Sequence, residues 1–512
     1  MSARMNSKLL VPIPGTDHFV PIGALRESFG NALGRVPQVP HNAASTGRRM
    51  GDWRPTGSGP NSVVAASQPE LVRRSRDSRR NNPIAKRALD LYGVHIVGTG
   101  IGMRSACRNK KLREQLTELW KEQVKYMDAD GHLPYYGQQT LAVSEMAEGS
   151  ECFGRYRTRR KSDGLPVPLQ LQLLPTEQVP LTYTQTFGGN GIVQGIERDA
   201  ISRRTAYWVY QQNPGEAAVI PGSISYQPVR IPAGEMMHLF NAMGRIGQLR
   251  GLPWLAAGIT TLFQVNSFVD AELLRKQMVA NIVGFVKKAT GKDVDEEDLA
   301  KHWGEVLKEY GGELPAVAME PGTMQYLDLG EDVQFTQPAD VGGSFDPFLG
   351  WNYRNVASAA GLLYEELTGN WKDMNDRTYR AAFNTFKRQV RQWQWNLVVH
   401  QMNEPTWRKF VDYAVGYGIV KVPKSVSDAD LYAVTHHPER WEYVNAKQDV
   451  EAVLMEVEGG LTSREDVVAE RGDDIEEVDT KRARDQARQL SLGLPEPKRG
   501  KQAPAVQPGA DE

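Results

Sequence analysis

The sequence predicts an α+β protein of several parts, on three observations. Between about Leu141 and Phe240, short segments such as LQLQLL, YWVYQQ and EMMHLF alternate with Gly- and Pro-rich turns, which reads as a β-rich region. Two stretches with apolar residues at helical spacing, about 252–286 and 343–368, bracket a short acidic insert. The chain beyond 376 is again helical in pattern, and 512 residues leave room for more than one core.

In chain order, residues 1–70 are rich in Gly, Pro, Ser, Asn and Ala and predict an extended or disordered arm. Regular structure is expected from NNPIAKRALDLYG, where Asn82 caps a helix, Pro83 takes its first position and Gly93 closes it. A further helix covers about Lys110–Tyr126, and the β-rich part completes a region that runs over 71–251. Gly251 and Pro253 open the first long helix, with Leu255, Ile259, Leu262, Val269 and Leu273 on its stripe. Running to about Phe285, it would span about 50 Å at 1.5 Å per residue. The insert 287–342 carries 5 Lys and Arg against 13 Asp and Glu, with VQFTQP as a strand candidate. Asp346 can cap the second long helix, Pro347 starts it and Gly369 ends it, with Phe348, Trp351, Val356, Ala359, Leu363 and Leu367 on its stripe. TGNWKDMND is a loop at 368–376, and a third helix spans about Arg377–Met402, before Pro405, within a segment reaching 445. In 446–493, Thr462 and Glu465 have capping-box spacing, Gly472 ends that helix, and a last helix covers about Ile475–Leu492. The tail 494–512 reads as disordered.

Charge is balanced at 61 basic against 62 acidic residues, but unevenly placed. Residues 1–110 hold 17 Lys and Arg against 6 Asp and Glu, whereas 449–486 hold 5 against 13. That polarity argues against a protein that simply coats DNA. Two cysteines, Cys107 and Cys152, allow one bridge at most, and a reduced, cytoplasmic place of assembly is the plain reading. No run of about 18 apolar residues could span a bilayer, so no membrane association is expected.

Catalytic patterns fail on inspection, and neither a catalytic residue, a metal ligand nor a cofactor is predicted. TGKD around Lys292 lacks both the upstream glycine and the following Ser or Thr of a phosphate-binding loop. VGTGIG at 97–102 has Met103 where a dinucleotide fingerprint needs its third glycine, and a turn after the preceding helix fits better. GGSFD misses the last glycine of a nucleophile elbow, so Ser344 belongs to a capping turn. His436 and His437 are adjacent and would point apart, and there is no HExxH. On the third helix Arg377, Arg380, Lys387 and Arg391 fall near one face, suited either to DNA phosphates or an acidic neighbour, or to plain solvation. Trp393, Trp395 and Trp407 are read as packing residues.

Several segments in order resemble the phage portal proteins of the lambda family. They are RRSRDSRRNNPIAKRALDLYGVHIVGTGI at 73–101, GSECFGRYR at 149–157, IPAGEMMHLFNAMGRIGQLRGLPWLA at 231–256, LLYEELTGNWKDMNDRTYRAA at 362–382 and GGLTSREDVVAERGDDIEEV at 459–478. The similarity runs over roughly 43–493. It departs in the loop, where Asn370 replaces an acidic residue and Trp371, Lys372 and Met374 replace a Ser/Tyr pattern. The resemblance implies a non-enzymatic ring subunit, dodecameric in the virion, at one capsid vertex. It implies a wing at 71–251, paired stem helices, a small α/β clip at 287–342 and a crown at 446–493. The tunnel loop would comprise Thr368, Gly369, Asn370, Trp371, Lys372, Asp373, Met374, Asn375 and Asp376. Implied partners are double-stranded DNA without sequence recognition, a large terminase subunit, major capsid and scaffold proteins, and a head-completion or tail adaptor protein. The classes left open beside it are another head protein, minor capsid or connector, and a metal-dependent DNA-processing enzyme.

Overall fold

The computed structural model describes residues 10–12, 19–21, 55–216, 227–242, 244–281, 284–286, 296–309, 324–326, 345–372, 374–441, 446–471, 473 and 475–494. The chain divides into a unit of Met1–Gly59 and one of Pro60–Glu512. In the first, β1 (Leu10–Pro12) pairs antiparallel with β2 (Phe19–Pro21).

The second unit opens on α1 (Pro60–Asn81), so the residues from Pro60 to Glu70, expected in the arm, are helical. Its buried face is Val64, Gln68, Val72 and Ser75, and because two of the four are polar no hydrophobic stripe announced it. Helix α2 (Pro83–Ile96) starts as expected, with the Asn82 side chain accepting from Ala85 N at 2.9 Å. Gly93 does not close it. The helix continues a turn further, and Gly93 instead lets Thr140 approach, its Cγ2 3.1 Å from where a Cβ would stand. The turn that ends the helix is the 97–100 segment, with Gly98 at φ 59.

Next come β3 (Gly102–Ser105), α3 (Lys110–Gln123) and α4 (Tyr135–Gly149). The start of the expected β-rich stretch, from Leu141, therefore belongs to a helix. Strands β4 (Glu151–Thr158) and β5 (Leu169–Pro175) follow. A run of short antiparallel strands succeeds them: β6 (Gln185–Phe187), β7 (Asn190–Val193), β8 (Ile196–Arg198), β9 (Arg204–Val209) and β10 (Val229–Pro232). With β11 (Met236–Phe240), the region makes two sheets, ordered β11-β4-β5 and β10-β9-β8-β7-β6. The tight β7–β8 turn needs positive φ at Gln194 and Gly195, 53° and 79°.

The first long helix, α5, is Ile259–Asn281, shorter at both ends than the expected 252–286. Before it, Trp254 N donates to Ala147 O at 2.9 Å, which spends that segment on docking to α4. After it comes β12 (Gly284–Val286), parallel to β13 (Met324–Tyr326), with α6 (Glu296–Glu309) between them. VQFTQP and the 494–512 tail, apart from Leu494, lie outside the described residues. The second long helix is broken into α7 (Phe345–Ala360) and α8 (Tyr364–Thr368). Gly361 at φ 67 and the Leu362 N to Ala357 O bond of 3.0 Å close the first piece. On α7 the expected stripe divides, with Val356 buried beside Ala357 and Ala360 while Phe348, Trp351 and Ala359 are exposed.

Helix α9 (Asp376–Trp393) passes directly into a π-helical segment, Gln394–Asn403, and then into α10 (Glu404–Gly416). Pro405 does not stop this rod; it falls at the junction where the π-helical segment passes into α10. Then come α11 (Asp428–Leu431), β14 (Val434–His437), which pairs with β3, and three C-terminal helices: α12 (Ala446–Glu458), α13 (Arg464–Glu470) and α14 (Ile475–Ser491). The capping box of α13 is one residue later than expected, on Ser463 and Asp466.

The main core lies where α2, α3, α4 and the 376–416 rod meet. Trp120 meets Tyr135, Trp407 and Phe410 edge-on, with ring centres 5.3, 5.8 and 5.0 Å apart. Cys107 and Cys152 are free and buried. A polar cluster ties the two sheets to α1. Glu151 accepts from Arg250 Nε at 2.7 Å, Thr176 Oγ1 at 2.8 Å, Gln68 Nε2 at 3.0 Å and Gly251 N at 3.2 Å, and His238 Nε2 lies 2.8 Å away. Arg250 also donates to the carbonyls of Gln194 at 2.7 Å and Val179 at 3.1 Å. Glu151 and Arg250 are wholly buried. Burial pushes the Glu151 carboxyl up, but Arg250 and then His238 outweigh it and hold it at about 2. Burial drives His238 down to about 4, so the neutral ring donates through Nε2.

Candidate functional site

The 368–376 loop and the helix after it bring the predicted residues together. Gly369, at φ 71, ends α8 and donates to Glu365 O at 2.7 Å. Thr368 Oγ1 donates to Tyr364 O at 2.8 Å and accepts from Asn370 N at 3.3 Å. Asn370 Oδ1 accepts from Lys372 N at 3.2 Å, and Met374 N donates to Trp371 O at 3.2 Å. Asn375 caps α9, its Oδ1 accepting from Thr378 N at 2.9 Å. Asp373 and the side chain of Asp376 lie outside the described residues. Short polar side chains thus tie the loop to itself. Its one aromatic group, Trp371, is 46% exposed and meets Tyr379 edge-on at 5.8 Å.

On α9 the buried face is Phe383, Phe386, Val390 and Trp393. The four predicted basic residues do not act alike. Arg377 and Arg391 are exposed. Lys387 lies over the rings of Phe383, at 4.6 Å, and Trp441, at 5.8 Å. Burial and then the Arg391 charge lower its pKa, so its ammonium is held by aromatic faces rather than offered outward. Arg380 is half-buried and has a partner of its own. Arg388, outside the predicted four, is exposed among them. At 3.6 residues per turn it falls about 60° from Arg391 and about 20° from Arg377. The outward basic edge is therefore Arg377, Arg388 and Arg391, and none of them pairs with a carboxylate among the described residues.

A second surface lies on the paired helices α5 and α7. They meet through Phe268, whose ring is 6.0 Å from Phe345 and 5.0 Å from Phe348. Leu262, Val265, Val356 and Ala357 are buried, yet Phe263, Leu273, Leu274 and Trp351 remain exposed. Of the predicted packing tryptophans, Trp393 and Trp407 are buried and Trp395 is 48% exposed. Among the described residues no three His, Cys, Asp or Glu side chains come close enough to hold a metal ion. Among the described helices none is long and apolar enough to cross a membrane.

A sequence model of phage portal proteins of the lambda family matches residues 46–394. Similar proteins include the probable portal protein of Halomonas phage phiHAP-1, 24% identical over 455 residues, which are 85% of this chain and 83% of that one. Portal protein B of Escherichia phage lambda is 20% identical over 501 residues, 88% of this chain and 90% of its own. Among solved structures, a chain from the neck of a native gene transfer agent particle, computed with C12 symmetry, is 13% identical. That match covers 86% of this chain and 99% of the other, with a TM-score of 0.43.

Proposed function

Since this chain belongs to the lambda family of phage portal proteins, whose role is structural, we propose that copies of it close into a ring, twelve in the virus particle, through which double-stranded DNA enters and leaves. The observation that carries the ring is the α5–α7 pair. Each helix spends its inner side on the other and still leaves large apolar side chains exposed, Phe263, Leu273 and Leu274 on one and Trp351 on the other. Such residues in water are costly unless a neighbour covers them. Two different apolar faces suit a head-to-tail contact, the kind that closes rings.

In this reading α5 and α7 are the stem, the β12–α6–β13 unit belongs to the clip, and 368–376 is the tunnel loop. DNA is held loosely. The 287–342 insert holds 13 Asp and Glu against 5 Lys and Arg, and 449–486 hold 13 against 5, so few phosphates are neutralised and the duplex stays mobile. The basic edge of α9 supplies a local, sequence-independent contact. The clip is the docking surface for the large terminase subunit and later for a head-completion or tail adaptor protein, and the N-terminal arm meets capsid or scaffold protein.

Negative-stain microscopy of the purified chain tests the assembly. Rings with a central hole are expected, and Trp351→Asp with Phe263→Asp should convert them to monomers that keep their far-ultraviolet circular dichroism. Monomers from the unaltered chain at micromolar concentration, or rings from the double variant, would refute the proposal.

A further inference from the structure

Both ends of the 368–376 loop lead to one side chain of α2. On the entry side, Glu366 of α8 places Oε2 2.8 Å from His95 Nε2, with the two side chains 11% and 14% exposed. Arg87, two turns earlier on α2, donates from Nε to Glu366 O at 3.2 Å. On the exit side a chain of rings leaves the loop. Trp371 touches Tyr379, Tyr379 stacks on Phe383 at 5.1 Å, and Phe383 meets Trp441 edge-on at 5.4 Å. Trp441 lies parallel to the His95 ring at 6.1 Å, and Phe386 of α9 meets that ring edge-on at 4.9 Å.

We propose that His95 is the positioning residue of the loop, holding α8 through Glu366 and α9 through Phe386 and Trp441. A largely buried carboxylate needs a polar partner, and Glu366 has the imidazole of His95 at 2.8 Å, an ion-pair distance, although neither of the two facing atoms is aligned for a hydrogen bond. Thr368 and Gly369 tie the loop to α8 and Asn375 ties it to α9, while the bonds between them, from Lys372 N to Asn370 Oδ1 and from Met374 N to Trp371 O, are internal. Its spread and height are therefore set where its two ends converge. Trp441 also stands just before the C-terminal helices, so the same point joins the loop to the approach to the crown. That this matters for DNA passage rests on the channel reading of the loop; the positioning itself does not.

The experiment is hydrogen exchange on the assembled ring, comparing a peptide over 368–376 with one over α3. Glu366→Gln and His95→Phe, which keeps the ring contacts, should each speed exchange in the loop about tenfold and leave α3 unchanged. His95→Ala should speed it further, and joining Glu366→Gln to His95→Phe should add nothing to either alone. Loop exchange within twofold of the unaltered ring, equal acceleration of α3, or additive effects in the double variant would overturn the positioning role. Faster loop exchange with normal DNA packaging in assembled particles would uphold His95 and remove the loop from the DNA path.

Discussion

Replacing Arg250 by methionine should make the stability loss grow with pH. In the intact cluster Glu151 is held at about 2 instead of 4.5 and His238 at about 4 instead of 6.5. A group whose folded pKa is depressed contributes stability above its unfolded value and loses it as pH falls toward the folded one. Glu151 thus contributes fully above about pH 4.5 and His238 above about pH 6.5, each by about 3 kcal/mol at 1.36 kcal/mol per pK unit. Without Arg250, burial dominates at Glu151, and the Glu151–His238 pair takes up a proton. The pair's folded pKa is then raised, so its contribution survives at low pH and is lost as pH rises through the new value. The cost of the substitution should be smallest near pH 5, where Gln194 O and Val179 O still lose their donor, and should rise by about 3–5 kcal/mol toward pH 8, the range for stranding one member of a buried ion pair. Urea unfolding of both proteins, followed by tryptophan fluorescence across that range, measures it. The comparison removes Glu145, whose carboxyl burial lifts to about 7 and whose pH dependence has the opposite sign in both. A cost below about 1 kcal/mol near pH 8, or one that shrinks as pH rises, would refute the reasoning.

Changing Arg377, Arg388 and Arg391 together to Gln should flatten the salt dependence of non-specific duplex binding by the ring. The slope of log K against log salt should fall by at least about 2.7, the share of three phosphate contacts from a single subunit at about 0.9 each. An unchanged slope in fluorescence anisotropy would show that this edge faces elsewhere. Trp407→Ala removes a fully buried ring that touches Trp120 and Phe410, and should cost about 3–5 kcal/mol in denaturant unfolding. Gly361→Ala places a Cβ against the Gln389 amide at φ 67, and a loss of about 1–3 kcal/mol is expected from the same measurement.

The sequence showed most clearly what repeats with a period. The strands in LQLQLL, YWVYQQ and EMMHLF, the Asn82 cap with Pro83, and helix α14 were all readable from alternation or capping chemistry. Helix α1 was hidden because Gln68 and Ser75 share its buried face with valines, and Gln68 is there to reach Glu151. Gly93 was misread as a stop because a glycine that admits Thr140 looks the same in sequence as one that ends a helix. The long helices were overextended because apolar spacing continues through Gly361 and through the docking segment at Trp254. At the candidate site, the loop 368–376 was visible from turn chemistry, but that Asn375 within it would cap α9 was not read. That Lys387 would lie on aromatic rings was not, since Trp441 is remote in sequence. Nor could spacing reveal the Glu151–His238–Arg250 cluster, in which sheet register sets His238 opposite Phe153, two residues along β4 from Glu151, and Arg250 arrives from outside the strands.

The π-helical stretch at 394–403 has a mechanical consequence. Bonding each amide five residues back, as Glu404 N does to Val399 O, widens the coil and admits Leu397, Val398 and Val399 side by side into the interior. It acts as a phase shifter in a rod whose two halves are keyed separately. The α9 half takes its angle from the loop and His95. The α10 half takes its angle from Thr406 against Tyr156 at 2.9 Å and from Trp407 against Trp120, with Asn403 at the joint held by Tyr135 and Gln139 at 3.0 and 2.8 Å. Removing one residue from this stretch would let ordinary α pairing close and turn everything from Glu404 onward by about 100°. One half would then keep its seat only if the other lost it. The extra width lets a single continuous shaft serve two bearings set at different angles.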